Sequence, residues 1–307
     1  MSESPARQGR AGLNGDMTDP GEISNVSDTA LWVATFRGRE GQRADAVFHD
    51  PLATMLVGAR GPKIARSMPR SALVAWSIVV RTSAIDRLIG EALGMEIDSV
   101  LNLGAGLDTR PYRMDLPAHL RWVEVDFPHI VEFKDAALRG HQPACHVERV
   151  GLNLLDRSSR NTLLARYGSQ HQNTLVIAEG VIPYFSNDDA ASLAVDLSSI
   201  ASFRHWIMDF DNAGERRTPR AWEKRLKNAP FLFQVADWFE FFKQFAWHPH
   251  KVITSADESE AINRPYPFSF PLGLVMHALP ASVRRKILSL SGGVLMRRQP
   301  RDPSTAG

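Results

Sequence analysis

Apolar positions along this chain change period about one third of the way in. Before residue 97 they recur at helical spacing. Ser71 to Leu93 carries Leu73, Trp76, Val80, Ile85, Leu88, Ile89 and Leu93 on one broad stripe, which predicts a long helix with Gly94 as its C-cap. Asp28 to Arg37 predicts a helix capped by Ser27 or Asp28, and Pro51 to Val57 predicts another after Asp50. From residue 97 onward, short apolar runs predict strands near 98–103, 121–126, 145–150, 173–179, 203–210, 247–253 and 292–298. Helical patterns at Pro128 to Leu138, Asp188 to Ile200 and Phe233 to Phe245 lie between them. That alternation is the rhythm of an α/β fold with a seven-stranded, mostly parallel, doubly wound sheet behind a helical preface.

The expected organisation is a single domain over 26–298, made of the preface (26–96) and a core (97–298), with polar, disordered tails at 1–25 and 299–307. Stretches near 211–232 and 254–290 exceed ordinary connectors, and insertions beside such a sheet build lids or substrate pockets.

Composition narrows the class. With 307 residues and 44% apolar content the chain can bury a large core. A net charge of +2, from 36 basic and 34 acidic side chains, argues against a nucleic-acid groove. Cys145 is the sole cysteine, which rules out an intrachain disulfide and fits a reducing compartment. Met1 to Asn25 lacks the apolar stretch of a signal peptide, and the most apolar window, Ala72 to Val80, is too short to span a bilayer. A cytoplasmic protein without membrane partners is expected. The histidines show no metal-binding spacing, so no metal is expected either.

The strongest chemical signal is Val100 to Arg110, VLNLGAGLDTR, which reads as a buried strand breaking into a glycine turn. Gly104, Ala105 and Gly106 supply the start of a dinucleotide-binding fingerprint, but Thr109 stands where the third glycine belongs. An ordinary strand-to-loop turn is the alternative. About 20 residues on, Trp122 to Asp126 places two acids at a strand end, where a ribose partner is expected. Asp126 is the first candidate and Glu124 the second; a solvated or capped acid is the competing reading.

Taken in order, LNLGAGLDTRPYR, WVEVDFPHIVEFK and AEGVIPYF resemble the leucine carboxyl methyltransferase family, including its bacterial branch of polyketide and small-molecule O-methyltransferases. The resemblance spans roughly 28–298. It implies a class I S-adenosyl-L-methionine (SAM) methyltransferase with a Rossmann-like sheet whose last strand inserts antiparallel. It also implies SAM as cofactor, held by the loop Gly104-Ala105-Gly106 and by Asp126 at the ribose. By the same resemblance Arg81, in VVRTSAID, pairs with the methionine carboxylate, and Glu179 accepts from the ammonium group. Where the family carries Asp-Leu near the adenine, this chain has Asn153-Leu154, with Asp156 as a substitute close by. Tyr184 matches a tyrosine beside the active site and is the catalytic candidate, orienting the acceptor; a structural tyrosine is the alternative. The aromatics Phe231, Phe233, Trp238, Phe239, Phe241, Phe242, Phe245 and Trp247 are expected to cap the sheet, with a part of them available to an acceptor pocket.

The implied activity is methyl transfer to a carboxylate or hydroxyl of a small metabolite, such as a polyketide. A carboxylate acceptor needs no general base, whereas a phenol benefits from one. Two other readings stand beside it: a SAM-binding regulator or scaffold without catalysis, and a nicotinamide-dependent oxidoreductase, which the missing third glycine weakens.

Overall fold

The computed structural model describes residues 23, 25–68, 71–212, 226–267 and 272–299. Seven strands, β1 (Ser99–Leu103), β2 (Arg121–Asp126), β3 (His146–Gly151), β4 (Thr174–Ala178), β5 (Phe203–Asp211), β6 (Trp247–Thr254) and β7 (Ser291–Arg298), form one sheet in the order β3-β2-β1-β4-β5-β7-β6. Each lies within one residue of its expected bounds. The pairs from β3 to β5 are parallel, and β7 runs antiparallel between β5 and β6.

β1 and β4 are buried at every position, which is why they read as continuous apolar runs rather than alternating ones. Val100, Trp122, Leu175, Ile177, Ile207 and Leu295 pack on one side of the sheet against α4 (Ser71–Leu93), through its Ile85, Leu88 and Ile89. Leu101, Leu103, Val123, Val125, Val176 and Met208 face the other layer, which holds Leu163, Leu164, Leu193 and Leu197. The latter residues belong to α7 (Arg157–Gln170) and α8 (Asn187–Ser198). No helix was expected over 157–170, because polar residues dominate its surface and only Leu163, Leu164, Tyr167 and the ion-paired Arg160 are buried.

The preface comprises α1 (Val26–Gly41), α2 (Pro51–Val57), α3 (Arg60–Ser67) and α4, around a core of their own that includes Leu31, Trp32, Phe36, Leu56 and Ile64. The cap of α1 corrects the expectation. Asn25, not Ser27 or Asp28, accepts from the Asp28 amide, while the Asp28 carboxylate pairs with Arg60 at 2.7 Å. Asp50 caps α2 as expected, accepting from Ala53 N–H. Gly94 donates to Glu91 C=O, but the left-handed residue of that turn is Glu96, at φ 58°.

Two short elements flank the loops, α5 (Arg110–Arg113) and α6 (Pro128–Ala137). The helix expected over Phe233 to Phe245 is confined to α9 (Trp238–Lys243), where Asp237 caps it and Phe233 is left to pack outside the helix. The insertion at 254–290 folds into α10 (Ser255–Ala261), α11 (Leu272–Ala278) and α12 (Ala281–Leu288). Most of the expected tails and of the 211–232 insertion fall outside the described residues, while Ile23 is buried and Asn25 caps α1, so the ordered chain begins before residue 26. Among the described residues no helix is long and apolar enough to cross a membrane.

Candidate active site

A cleft of about 620 Å³ opens at the carboxyl ends of β1, β2, β4 and β5. The strand order reverses between β1 and β4, so their outgoing loops diverge and leave a crevice there. The volume lies within the roughly 300–1,000 Å³ of small-molecule sites.

The glycine turn leaves β1 with Gly104 at φ 63° and Gly106 at φ 47°, the left-handed region that disfavours side chains. A Cβ on Gly104 would also come within 2.4 Å of Val181 Cγ2. Gly106 N–H donates to Asp126 Oδ2 at 2.6 Å, and Phe127 N–H donates to Oδ1 at 2.7 Å. Loop and acid are thus one hydrogen-bonded unit. Burial pushes the Asp126 carboxyl above its ordinary value, against those two amides. Gly104, Ala105 and Asp126 line the cleft; Gly106 does not, and its amide holds the Asp126 carboxylate instead.

Glu124 is corrected. Its carboxylate turns away from the cleft and forms buried ion pairs with Lys134 at 2.8 Å and Arg149 at 2.7 Å. Asp156 is corrected too: it accepts from the amide and hydroxyl of Ser159 as the cap of α7, and it does not line the cleft. Asn153 and Leu154 do line it. The Asn153 side-chain oxygen accepts from Leu155 N–H at 3.0 Å, the turn geometry that favours asparagine, and Leu154 is largely core.

Arg81 projects from α4 into the cleft rather than to the surface. Its Nε donates to Glu179 Oε1 at 2.9 Å and its Nη1 to Asp209 Oδ2 at 3.3 Å. Glu179, just past β4, gives its other oxygen to Arg110 Nη2 at 2.7 Å. Burial raises the Glu179 carboxyl, but Arg110 and Arg81 outweigh it and hold the group below its ordinary value. Asp108 behaves alike: burial opposes ionisation, yet Arg110, Arg37, Lys134 and Arg113 hold it well below the usual carboxylate range.

A second layer ties the preface to this wall. Arg110 also bonds Asp86 at 2.6 Å and Asp108 at 3.0 Å, and Asp108 accepts from Asn102. Asp50 accepts from the Thr109 hydroxyl at 2.6 Å and from Arg37 at 2.9 Å. The motif Asp108-Thr109-Arg110 was visible in the sequence. Asp209, Arg37, Asp50 and Asp86 were not singled out for the site, since each comes from a separate element with no local pattern.

Tyr184 closes a 3₁₀ turn, Ile182–Tyr184, and its ring meets Phe231 at 5.3 Å. Burial raises its hydroxyl, as does the charge of Asp209, while the nearby Thr29 hydroxyl and the charge of Arg81 pull the other way. The aromatic cluster divides. Phe242 and Trp247 are fully buried against Trp206, whereas Phe231, Phe233 and Trp238 reach the cleft wall. Among the described residues no group of His, Cys, Asp or Glu is placed to hold a metal ion.

Residues 30–197 match the model of the leucine carboxyl methyltransferase family. The chain belongs to that family. A Streptomyces coelicolor protein, named as a candidate SAM-dependent methyltransferase, is 37% identical over 174 residues, 54% of this chain and 62% of its own length. The match to such a relative from Mycobacteroides abscessus spans 66% of that protein, so these two are matched over less than two thirds of their lengths. One from Saccharopolyspora erythraea is 30% identical over 75% of this chain and 85% of its own. A candidate methyltransferase from Thermobifida fusca shares the fold, with TM-score 0.54 at 13% identity over 90% of this chain and 96% of that one. The fold is that of SAM methyltransferases, with the Rossmann-like sheet that the resemblance implied. The family segment carries the glycine loop, Arg81, Asp126, Asn153, Glu179 and Tyr184; Asp209 and Phe231 lie beyond it.

Proposed function

We propose that this member of the leucine carboxyl methyltransferase family transfers a methyl group from SAM to an oxygen, carboxylate or hydroxyl, of a small acceptor such as a polyketide. One observation carries the reading: Gly104, Asp126, Arg81 and Glu179, from four separate elements, meet on the wall of one cleft at the strand-order reversal.

The residues present fit the cofactor. Asp126, preset by two amides, keeps lone pairs for ribose hydroxyls, and the turn at Gly104 and Ala105 brings backbone close where a side chain would intrude. Arg81 offers a planar fork to a carboxylate, and Glu179 offers acceptors to an ammonium group. Asn153 and Leu154, which line the cleft, would hold the adenine. Bound SAM supplies an electrophilic methyl carbon, whose transfer depends on in-line alignment. Tyr184, packed against Phe231, orients the acceptor.

Calorimetry with SAM and S-adenosylhomocysteine tests this. Both should bind, and Asp126→Ala should weaken both about tenfold or more, the loss of one charge-assisted hydrogen bond. Incubation with methyl-labelled SAM and cell extract should then yield a labelled small molecule. Absence of binding overturns the reading; binding with no labelled product favours a regulator. Tyr184→Phe should slow transfer while leaving S-adenosylhomocysteine affinity intact, and unchanged turnover would remove Tyr184 from the catalytic role.

A further inference from the structure

A second cavity, of about 480 Å³, opens at the other end of the sheet, where β2 and β3 begin and α7 ends. Parallel pairing sets Arg121, the first residue of β2, beside His146, the first of β3, so both side chains leave the same face of the sheet. Glu148 follows His146 on that face by alternation. The last turn of α7 adds Arg166 and Tyr167, and His171 closes that helix. None of these residues lines the methyltransferase cleft: β2 starts at this cavity with Arg121 and reaches the cleft only with Asp126.

The lining is rich in donors and poor in acceptors. Two guanidinium groups and two imidazoles accompany a single carboxylate, Glu148, which Arg166 holds at 3.2 Å. Arg166 also lies over the Tyr167 ring, 5.0 Å from its centroid. Among the described residues the side chains of Arg121, His146 and His171 have no hydrogen-bond or ion-pair partner. Tyr167 is the buried member of the set. It is 3% exposed, and its hydroxyl has no hydrogen-bond partner among the described residues. Burial and the nearby Glu148 carboxylate raise that hydroxyl above its ordinary value, against the charge of Arg166, so it stays protonated and can donate. A buried donor left in this state is relieved by an acceptor brought from outside.

Independently of the methyltransferase reading, we infer that this cavity is a binding site for a small phosphate-bearing anion, held by Arg121 and Arg166, with the Tyr167 hydroxyl and the two imidazoles as further donors. The donor set selects the class. A phosphate group carries three strong acceptor oxygens and a charge of about −1.5 to −2 at neutral pH, which suits donors arriving from two strands and a helix. A monocarboxylate brings two oxygens in one plane and a single charge, and satisfies fewer of them. The volume lies within the roughly 300–1,000 Å³ of small-molecule sites, which leaves room for an organic part beside the phosphate.

The full-length protein is titrated calorimetrically with inorganic phosphate and with acetate at constant ionic strength. Phosphate should bind about tenfold or more tightly than acetate. Arg121→Gln should weaken phosphate about tenfold or more, and Tyr167→Phe, which keeps the ring in the core, about fivefold or more. Without phosphate, Tyr167→Phe should unfold at the same temperature as the parent protein or higher, since the hydroxyl it removes has no partner. Arg204→Gln, at an exposed position of β5 outside the cavity, should leave phosphate affinity as it is, which separates a site from general attraction to basic surface. S-adenosylhomocysteine should not displace phosphate. No measurable phosphate binding, equal affinity for acetate, full affinity in Arg121→Gln, an equal loss in Arg204→Gln, or displacement by S-adenosylhomocysteine overturns the inference. Failure of S-adenosylhomocysteine itself to bind overturns the methyltransferase reading instead, and the phosphate titrations still decide this one.

Discussion

Arg110 Nη2 donates to Glu179 Oε2 at 2.7 Å, while Arg81 holds the other oxygen of the same carboxylate. The acid at the end of β4 is therefore clamped from two sides, by α4 and by the helix that follows the glycine turn. Arg110 holds Asp86 and Asp108 as well, so a single guanidinium joins the preface to the sheet.

Arg110→Ala should destabilise the protein by about 3–5 kcal/mol, because it leaves the buried Asp108 without its ion-pair partner and removes one of two from Glu179 and from Asp86. Urea unfolding measures this. A loss within the range of ordinary surface substitutions would show that the network is held without Arg110.

The same clamp sets an acid limb. Glu179 and Asp108 lie below their ordinary values when folded, so their contribution is present above the unfolded values, about 4, and is lost as the pH falls through the folded ones. Asp126 and Asp209 are raised and act with the opposite sign, gaining as the pH falls. Glu179→Gln should lower stability at neutral pH and flatten the loss below about pH 4. An unchanged acid slope in urea titrations at several pH values would contradict the clamp.

Gly104→Ala meets two separate costs. The left-handed backbone adds about 1–2 kcal/mol and the clash with Val181 about 1–3 kcal/mol. Adding Val181→Ala should relieve the second cost and leave the first. A double-mutant cycle in thermal or urea unfolding checks this, and strict additivity would argue against the contact.

Asn153→Asp supplies the charge that the family resemblance leads one to expect at this position. Because the side-chain oxygen is already engaged by Leu155 N–H, S-adenosylhomocysteine affinity should change by less than about tenfold. A larger gain would mean that the side chain turns to the ligand on binding.

Glu124→Gln should cost about 3–5 kcal/mol by stranding the buried Lys134 and removing one of the two ion-pair partners of Arg149, yet leave cofactor affinity intact, since Glu124 does not line the cleft. Loss of affinity without loss of stability would restore Glu124 to the site.

The central strands were legible because burial on both faces imposes long apolar runs, and the chain obeys this within a residue at β1 and β4. The glycine turn and Asp126 were legible for a similar reason: one backbone conformation and one strand end each demand a narrow choice of residue. Glu124 shows the limit. It shares a strand and a spacing with Asp126, and only the neighbours Lys134 and Arg149, supplied by α6 and β3, decide that it is a structural acid. The cap of α1 and the role of Asp156 were equally undecidable, since several adjacent polar residues suit one helix start.

The sequence by itself determined the alternation of elements, the glycine turn and the family, because these depend on local backbone demands and short-range periodicity. Only the tertiary structure decided which charges meet. Arg81, Glu179, Arg110 and Asp209 are drawn from a preface helix, the end of β4, the helix after the glycine turn and the end of β5. Their pairing arises where the strand order reverses, and no local pattern in the chain encodes a contact made over such separations.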